Sequence, residues 1–240
     1  MMMKGLGVLI LSVGSLAAEV KEERVEHAGA VFRVVRLEPA RVAVVWRGDD
    51  GKPYETFDRV QSALADQGKT LSFLMNAGIF EPGLVPSGLH VEETKELRPL
   101  NLREGKGNFF LKPNGVFAVT VDGEARVWSA VEHQTRSVAL RVAVQSGPIL
   151  LRKGQRHRAF RDGSRSVKHR NGVGVDGKGR VVFAMTDKRQ EVNFWDFAGL
   201  FLSLGCKDAL FLDGDISQMA VNPQQAVKSN RFAAMFVVVE

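Results

Sequence analysis

The stretch ALFLDGDISQ, residues 209–218, joins a short apolar run to two acidic residues and a serine. The apolar run predicts a buried strand, and Asp213 and Asp215 follow it on either side of a glycine, with Ser217 two positions later. Two carboxylates at a strand end can act as acid and base, as in glycoside hydrolysis, or can ligate a hard cation such as Ca²⁺ or Mg²⁺ through oxygen. A tight Asp-Gly turn without chemistry is the alternative interpretation.

A second candidate segment is FLMNAGIFEPGLVPSGLHVE, residues 73–92. Its first residues predict a strand that ends at Asn76, whose amide can donate and accept hydrogen bonds to a sugar hydroxyl or a phosphate oxygen. Gly78 allows the backbone to pass close to a ligand. His90 has the side chain of a general acid or base, although a lone histidine in a strand more often has a structural role.

Lysine and arginine dominate the segment RKGQRHRAFRDGSRSVKHR, residues 152–170, which holds eight of them and a single acid, Asp162. Guanidinium groups match phosphate oxygens, so the segment suits a phosphorylated or otherwise anionic substrate, with Arg165 and Arg170 as candidates. A solvated basic loop is the alternative. Nucleic-acid binding is disfavoured because Phe160 is the only aromatic residue in the segment.

Other short motifs carry less information. AVQSGPILL, residues 143–151, places Ser146 and Gly147 at a strand end before a proline, which by itself indicates a turn. The sequence has no His/Cys cluster with zinc spacing, no Walker loop, no GxSxG motif and no GxGxxG motif. Nucleotide cofactors and serine-hydrolase chemistry are therefore disfavoured.

Two predicted helices lead into apolar strands that end at candidate residues. Residues 54–69 form an amphipathic pattern that should stop at Gly68, and residues 70–75 follow as a strand. Residues 193–205 form a second helix before the strand that ends at Asp213. Asn76 and Asp213 therefore take equivalent positions just beyond two strands, where ligand sites often gather.

The rest of the chain is rich in strands and turns. Asn114-Gly115 and Asp122-Gly123 each lie between β-like runs and predict two hairpins. Further strands are predicted at 32–39, 42–46, 138–145 and 232–239, and residues 171–187 are predicted to form a strand, a turn and a second strand. The pattern predicts an α+β fold, in one domain over residues 19–240, with a mixed, largely antiparallel sheet core and a few packed helices.

The amino terminus predicts export. Residues 1–18, MMMKGLGVLILSVGSLAA, show one lysine, an apolar run and small residues typical of a cleaved secretory signal peptide. We therefore expect a periplasmic or secreted protein with no stable membrane span after cleavage. The single cysteine, Cys206, excludes an intramolecular disulfide. The formal charge of +6 is compatible with an anionic partner.

Five motifs in this order resemble the phosphodiester glycosidase family, in its bacterial exported branch. They are MNAGIF, GNFFLKPNGVF, QSGPILL, RNGVGVDGKGRVVFAMTD and ALFLDGDIS, and the resemblance covers about residues 65–239. It implies hydrolysis of a sugar-1-phosphodiester at the glycosidic bond, with the cell envelope as a setting. The family positions that fall on this sequence are Asn76, Gly78, Ser146, Gly147, Arg170, Asp213, Gly214 and Ser217.

The resemblance also implies roles for these residues. Asp213 would supply the carboxylate near the anomeric carbon, and Arg170, aided by Arg165 or Lys168, would take the phosphate. Asn76 and Ser217 would orient the sugar or the phosphate, and His90 stays a candidate for substrate binding. Apart from the resemblance, the carboxylate chemistry leaves Ca²⁺ or Mg²⁺ at Asp215 as the one cofactor candidate.

This chain departs from the family pattern at two positions. Ala77 replaces a common glycine, and Asp215 replaces the second glycine of Asp-Gly-Gly, which adds a negative charge. Two other functions therefore stay open at this point. One is a non-catalytic exported binder of an anionic glycan, and the other is a metal-dependent phosphodiesterase that acts at phosphorus.

Overall fold

The computed structural model describes residues 19–188 and 190–240, and the signal peptide predicted over residues 1–18 lies outside them. The helices are α1 (Phe57–Asp66), α2 (Ala130–Gln134) and α3 (Phe194–Ser203). The strands are β1 (Glu22–His27), β2 (Ala30–Leu37), β3 (Ala43–Val45), β4 (Leu71–Asn76), β5 (Phe80–Glu81), β6 (Val85–Pro86), β7 (His90–Glu92), β8 (Lys95–Arg98), β9 (Gly115–Thr120), β10 (Ala125–Ser129), β11 (Leu140–Ser146), β12 (Ile149–Arg152), β13 (Gln155–Arg156), β14 (Asn171–Asp176), β15 (Val181–Thr186), β16 (Cys206–Asp213), β17 (Met219–Val221) and β18 (Met235–Val239).

These strands form three large sheets and one small hairpin. The largest sheet has the order β1-β2-β15-β14-β16-β12-β13, the second β10-β9-β11-β7-β8, and the third β17-β4-β18-β3, while β5 pairs with β6. Every strand pair within residues 19–188 and 190–240 is antiparallel. The predicted α+β class is confirmed, and the parallel pairing that a mixed sheet would contain is absent from these strands.

The main core lies where the three large sheets face one another. Phenylalanines from each sheet meet there: the ring centroid of Phe183 lies 5.1 Å from that of Phe73 and 5.0 Å from that of Phe236, which is itself 5.5 Å from Phe117. All four side chains are fully buried. Aromatic contacts at these separations add to the stabilisation from apolar burial. This shared core connects β4 and β16, which belong to different sheets and carry Asn76 and Asp213.

The two long helices cover outer faces of the sheets. Helix α1 packs Phe57, Val60 and Leu64 onto the sheet that contains β4. Helix α3 packs Phe197 and Phe201 onto the sheet that contains β14 and β16. The close packing of α3 depends on glycines in β14, because a Cβ at Gly174 would lie 2.8 Å from the Phe201 ring.

The ends of both helices agree with the sequence prediction. Gly68, with φ of +71°, follows α1, and the N–H of Lys69 donates to the Leu64 carbonyl, which is the geometry of a glycine-terminated helix. At the start of α3, the Asn193 side chain accepts the N–H of Asp196 at 2.9 Å. This contact is the predicted N-cap.

One of the two predicted hairpins is wrong. The Asp122-Gly123 turn joins β9 to β10 as expected. Asn114-Gly115 makes no hairpin, because the residues before it form a 3-10 turn at Asn108–Phe110 and a loop. Pro113 offers no N–H to a strand ladder, and the Asn114 amide donates to the Phe109 carbonyl at 3.0 Å, which closes that loop.

Within the described residues, none of the helices is long and apolar enough to cross a membrane.

Candidate active site

The candidate site forms where β4, β14 and β16 meet. Asn76 is the last residue of β4, Asp213 is the last residue of β16, and Asn171 is the first residue of β14. Because β14 runs antiparallel to β16, Asn171 is paired with Asp213 in the sheet. The prediction that Asn76 and Asp213 both lie at strand ends is confirmed. Their side chains are also in contact.

Asp213 is held by three hydrogen bonds. Its Oδ1 accepts the N–H of Gly214 at 2.7 Å, and its Oδ2 accepts Nδ2 of Asn76 at 3.2 Å. Its own backbone N–H donates to Oδ1 of Asn171 at 2.8 Å. These contacts keep the carboxylate at a defined position beside the end of the strand.

The orientation of the Asn76 amide follows from its partners. Its Oδ1 accepts Nδ2 of Asn171 at 3.0 Å and the N–H of Gln218 at 2.9 Å. Nδ2 of Asn171 also donates to the Asn76 backbone carbonyl at 2.9 Å. With its oxygen occupied by two donors, Asn76 must turn its NH₂ group toward Asp213. Asn171 therefore positions both residues.

Burial changes the ionisation of Asp213. Loss of solvent around the carboxyl, with a smaller effect from the negative charge of Asp215, raises the pKa of Asp213 to about 6. The hydrogen bonds from Gly214 and Asn76 favour the charged form and oppose this rise. A carboxyl group with a pKa near neutrality is typical of catalytic residues.

Arg170 supplies a buried positive charge next to this network. Its side chain is 2% exposed, and its guanidinium carbon lies 3.8 Å from the centroid of the Phe194 ring. Nε donates to the Val192 carbonyl at 2.8 Å and Nη2 donates to the Ser166 carbonyl at 3.1 Å. Burial lowers the pKa of Arg170 to about 10, so the group still carries its charge at neutral pH. Nη1 has no hydrogen bond to a described residue.

His169 and Thr186 join the site to the neighbouring strand, and sequence reasoning did not select either residue. Nε2 of His169 lies 3.0 Å from the Ser217 carbonyl, and Nδ1 lies 2.6 Å from the Thr186 hydroxyl. A carbonyl can only accept, so Nε2 of His169 donates to Ser217 and the ring orientation is set by its two partners. The Thr186 oxygen in turn accepts the N–H of Arg170 at 3.1 Å.

The segment after Asp213 folds back as a tight turn. The hydroxyl and the N–H of Ser217 both donate to the Gly214 carbonyl, at 2.6 and 2.8 Å. The Asp-Gly turn and the candidate site are therefore the same feature. Asp215 extends from this turn and forms an ion pair with Lys168 at 2.9 Å.

Ser146, Gly78 and Gly147 lie behind the site as supports. The fully buried Ser146 hydroxyl donates to the Leu212 carbonyl at 2.9 Å and accepts the N–H of Ile79 at 3.3 Å. It therefore connects the two strand ends that carry Asp213 and Asn76. A Cβ at Gly78 would lie 3.0 Å from the Gln145 carbonyl, and one at Gly147 would lie 2.6 Å from Asn114. Both glycines permit close backbone packing.

Two predicted substrate-binding residues are not brought into this network. His90 is fully buried, and its Nε2 lies 2.6 Å from Glu92 while its ring packs edge-on against Trp46. Arg165 is exposed on the basic loop. Their roles stay predictions.

The carboxylates of the site do not form a cation-binding set. Across residues 19–188 and 190–240, no three His, Cys, Asp or Glu side chains converge as metal ligands. Asp215, the predicted metal ligand, is paired with Lys168, and Asp213 accepts N–H donors on both of its oxygens. A hard cation prefers six or more oxygen ligands, so these residues fit it poorly.

This chain is similar in sequence to one curated protein and in fold to several solved structures. The protein YigE of Escherichia coli (strain K12) is 34% identical over 186 residues, which cover 77% of this chain and 71% of YigE. The fold is similar to that of the zebrafish N-acetylglucosamine-1-phosphodiester alpha-N-acetylglucosaminidase catalytic domain, in the form auto-inhibited by its pro-peptide. The TM-score is 0.66 at 16% identity, and the match covers 95% of this chain and 85% of the zebrafish chain.

A hypothetical protein from Synechocystis shares the fold with a TM-score of 0.56 and 13% identity, over 92% of this chain and 61% of that one. The family model for phosphodiester glycosidases matches residues 69–239. This match agrees with the resemblance seen in the five sequence motifs, and it includes Asn76, Arg170 and Asp213. The chain therefore belongs to the phosphodiester glycosidase family.

Proposed function

We propose that this protein hydrolyses a glycosyl phosphodiester at the bond between the sugar and the phosphate. The observation that carries the proposal is the Asp213 carboxyl, which has a raised pKa and accepts hydrogen bonds from Nδ2 of Asn76 and the N–H of Gly214. The cationic Arg170 directly precedes Asn171 in the chain. Family membership supports the same reaction class.

The chemistry of the leaving group explains how one half-buried carboxyl can suffice. A phosphomonoester has a second pKa near 6, so it leaves as an anion without a proton from the enzyme. The remaining needs are a carboxylate at the anomeric carbon, where positive charge develops in the transition state, and an acceptor for the proton of the attacking water. Asp213 would meet both needs, because a pKa of about 6 leaves it mostly ionised at pH 7.

Arg170 would stabilise the charge that collects on the departing phosphate. Two of its nitrogens are committed to the Val192 and Ser166 carbonyls, which fix the guanidinium plane. Nη1 is then available to a phosphate oxygen. A preorganised donor of this kind contributes more than a mobile surface lysine, because no reorganisation is needed during the reaction.

We further propose that the reaction needs no metal ion and occurs outside the cytoplasm, on a cell-envelope glycan. The first part rests on the donor set, since Asp213 and Asp215 are already engaged by N–H donors and Lys168. The second part rests on the signal-like sequence of residues 1–18. Unchanged turnover in EDTA and recovery of the processed chain in the periplasm or the medium would support these points.

The central test is turnover of an N-acetylglucosamine-1-phosphodiester in water labelled with ¹⁸O. Cleavage at the glycosidic bond places the label in the free sugar, whereas attack at phosphorus places it in the phosphate. We expect label in the sugar, and loss of at least a hundredfold in kcat for Asp213→Asn. Label in the phosphate would establish the phosphodiesterase alternative. Binding without turnover across a panel of such diesters would establish the glycan-binding alternative.

A further inference from the structure

An exposed ion pair stands beside the buried site. Nζ of Lys168 lies 2.9 Å from Oδ2 of Asp215, and their side chains are 53% and 58% exposed. Lys168 pairs with Val192 through two backbone hydrogen bonds, so its segment is extended. The positive charge of Arg170 acts against the charged form of Lys168, so the two cations lie within electrostatic range of each other.

Asp215 acts electrostatically on both charged residues of the proposed mechanism. It lies two residues after Asp213 and contacts the residue two positions before Arg170. Its negative charge raises the pKa of Asp213 and favours the charged form of Arg170. Two cations, Lys168 and Arg170, and two carboxylates, Asp213 and Asp215, therefore lie within electrostatic range in one part of the site.

We propose that Asp215 is a charge-selective residue that favours a phosphate monoanion over a dianion at Lys168 and Arg170. The proposal rests on the proposed function for the identity of the two anions. The substrate diester carries one negative charge, whereas the monoester product carries nearly two at neutral pH. Repulsion from Asp215 acts once on the substrate and about twice on the product, so it speeds product release.

The pair with Lys168 sets the size of this effect. Lys168 holds the Asp215 carboxylate in an ion pair, so a second anion must either share the lysine or displace the aspartate. Both side chains are solvated, so each charge–charge contact is weak, and removal of the Asp215 charge should change affinity by about fivefold per unit of ligand charge. The effect should shrink in high salt because exposed charges are screened.

The test measures anion binding by calorimetry, without any need for turnover. Dimethyl phosphate serves as the monoanion and methyl phosphate, at pH 8, as the dianion. In Asp215→Asn, which keeps the side-chain shape, we expect affinity to rise about fivefold for dimethyl phosphate and about 25-fold for methyl phosphate at low salt. Asp162→Asn removes an exposed acid from the same basic segment and should change the ratio of the two affinities by less than twofold.

Each outcome separates this inference from the proposed function. An equal change for both anions, or no change, in Asp215→Asn would overturn the charge-selective role and leave the hydrolysis assay unaffected. Failure of both anions to bind either protein at tens of millimolar would overturn the anion site itself. The affinities for the two anions could change as expected in Asp215→Asn although the wild type hydrolyses no glycosyl phosphodiester. That result would support the charge-selective role of Asp215 and refute the proposed hydrolysis.

Discussion

Replacing Asp213 with asparagine should abolish activity and yet make the protein more stable above pH 7. The folded-state pKa of Asp213 is raised from 3.8 to about 6. A group with a raised pKa contributes stability that is present below its unfolded pKa and is lost as pH rises through its folded pKa. At pH 8 the ionised carboxylate therefore destabilises the fold.

The size of this cost follows from the shift of about two pKa units. Each unit corresponds to 1.36 kcal/mol, so ionised Asp213 costs about 3 kcal/mol at pH 8. Asp213→Asn removes that cost but leaves Nδ2 of Asn76 without its acceptor. The lost hydrogen bond lowers the gain in stability by about 1 kcal/mol. The net gain of about 2 kcal/mol should raise Tm by about 4–8 °C in a chain of this size.

Thermal unfolding of both proteins at pH 8 and pH 4 provides the assay. At pH 4 Asp213 is already mostly protonated in the folded state, so the advantage of the variant should disappear. Asp162→Asn, an exposed change, should show no such difference between the two pH values. If Asp213→Asn were less stable than the wild type by the same margin at both pH values, the inferred cost of burying the charge would be refuted.

Two further predictions concern the same network. The value of kcat/KM should rise with pH through about 6 and then level off, because the reaction requires ionised Asp213; a flat profile from pH 4 to 8 would contradict that requirement. Asn171→Ala should lower the free energy of unfolding by about 2–4 kcal/mol in urea melts. The change removes the hydrogen-bond partner of the Asp213 N–H and of the Asn76 carbonyl. The exposed Asn108→Ala should change this free energy by less than about 0.5 kcal/mol.

Much of the local structure could be read from short stretches of sequence. The stop of α1 before Gly68, the cap of α3 at Asn193 and the Asp122-Gly123 hairpin all depend on residues within a few positions of one another. Strand ends are similarly local, and this is why the sequence predicts Asn76 and Asp213 as site residues. The failure at Asn114-Gly115 has a physical cause, since a turn dipeptide makes a hairpin only if strands flank it on both sides.

The network around the candidate carboxylate could not be read in this way. Asn171 contacts a residue 42 positions later and another 95 positions earlier, and neither separation leaves a periodic signal in the sequence. The same holds for the contact of His169 with Ser217, 48 positions apart. The position of His169 next to Arg170 in the basic segment is the one sequence signal for its role. That segment is equally typical of a solvated loop.

The sequence by itself determined the α+β class, the family and the strand ends that carry Asn76 and Asp213, because turn chemistry and apolar periodicity act over a few residues. Tertiary structure alone decided which partners those side chains meet and how charged they are. Burial raises the pKa of Asp213, and packing on Phe194 fixes the guanidinium of Arg170. Both effects arise from desolvation and from contacts between distant segments, which exist only after the three sheets have closed around one core.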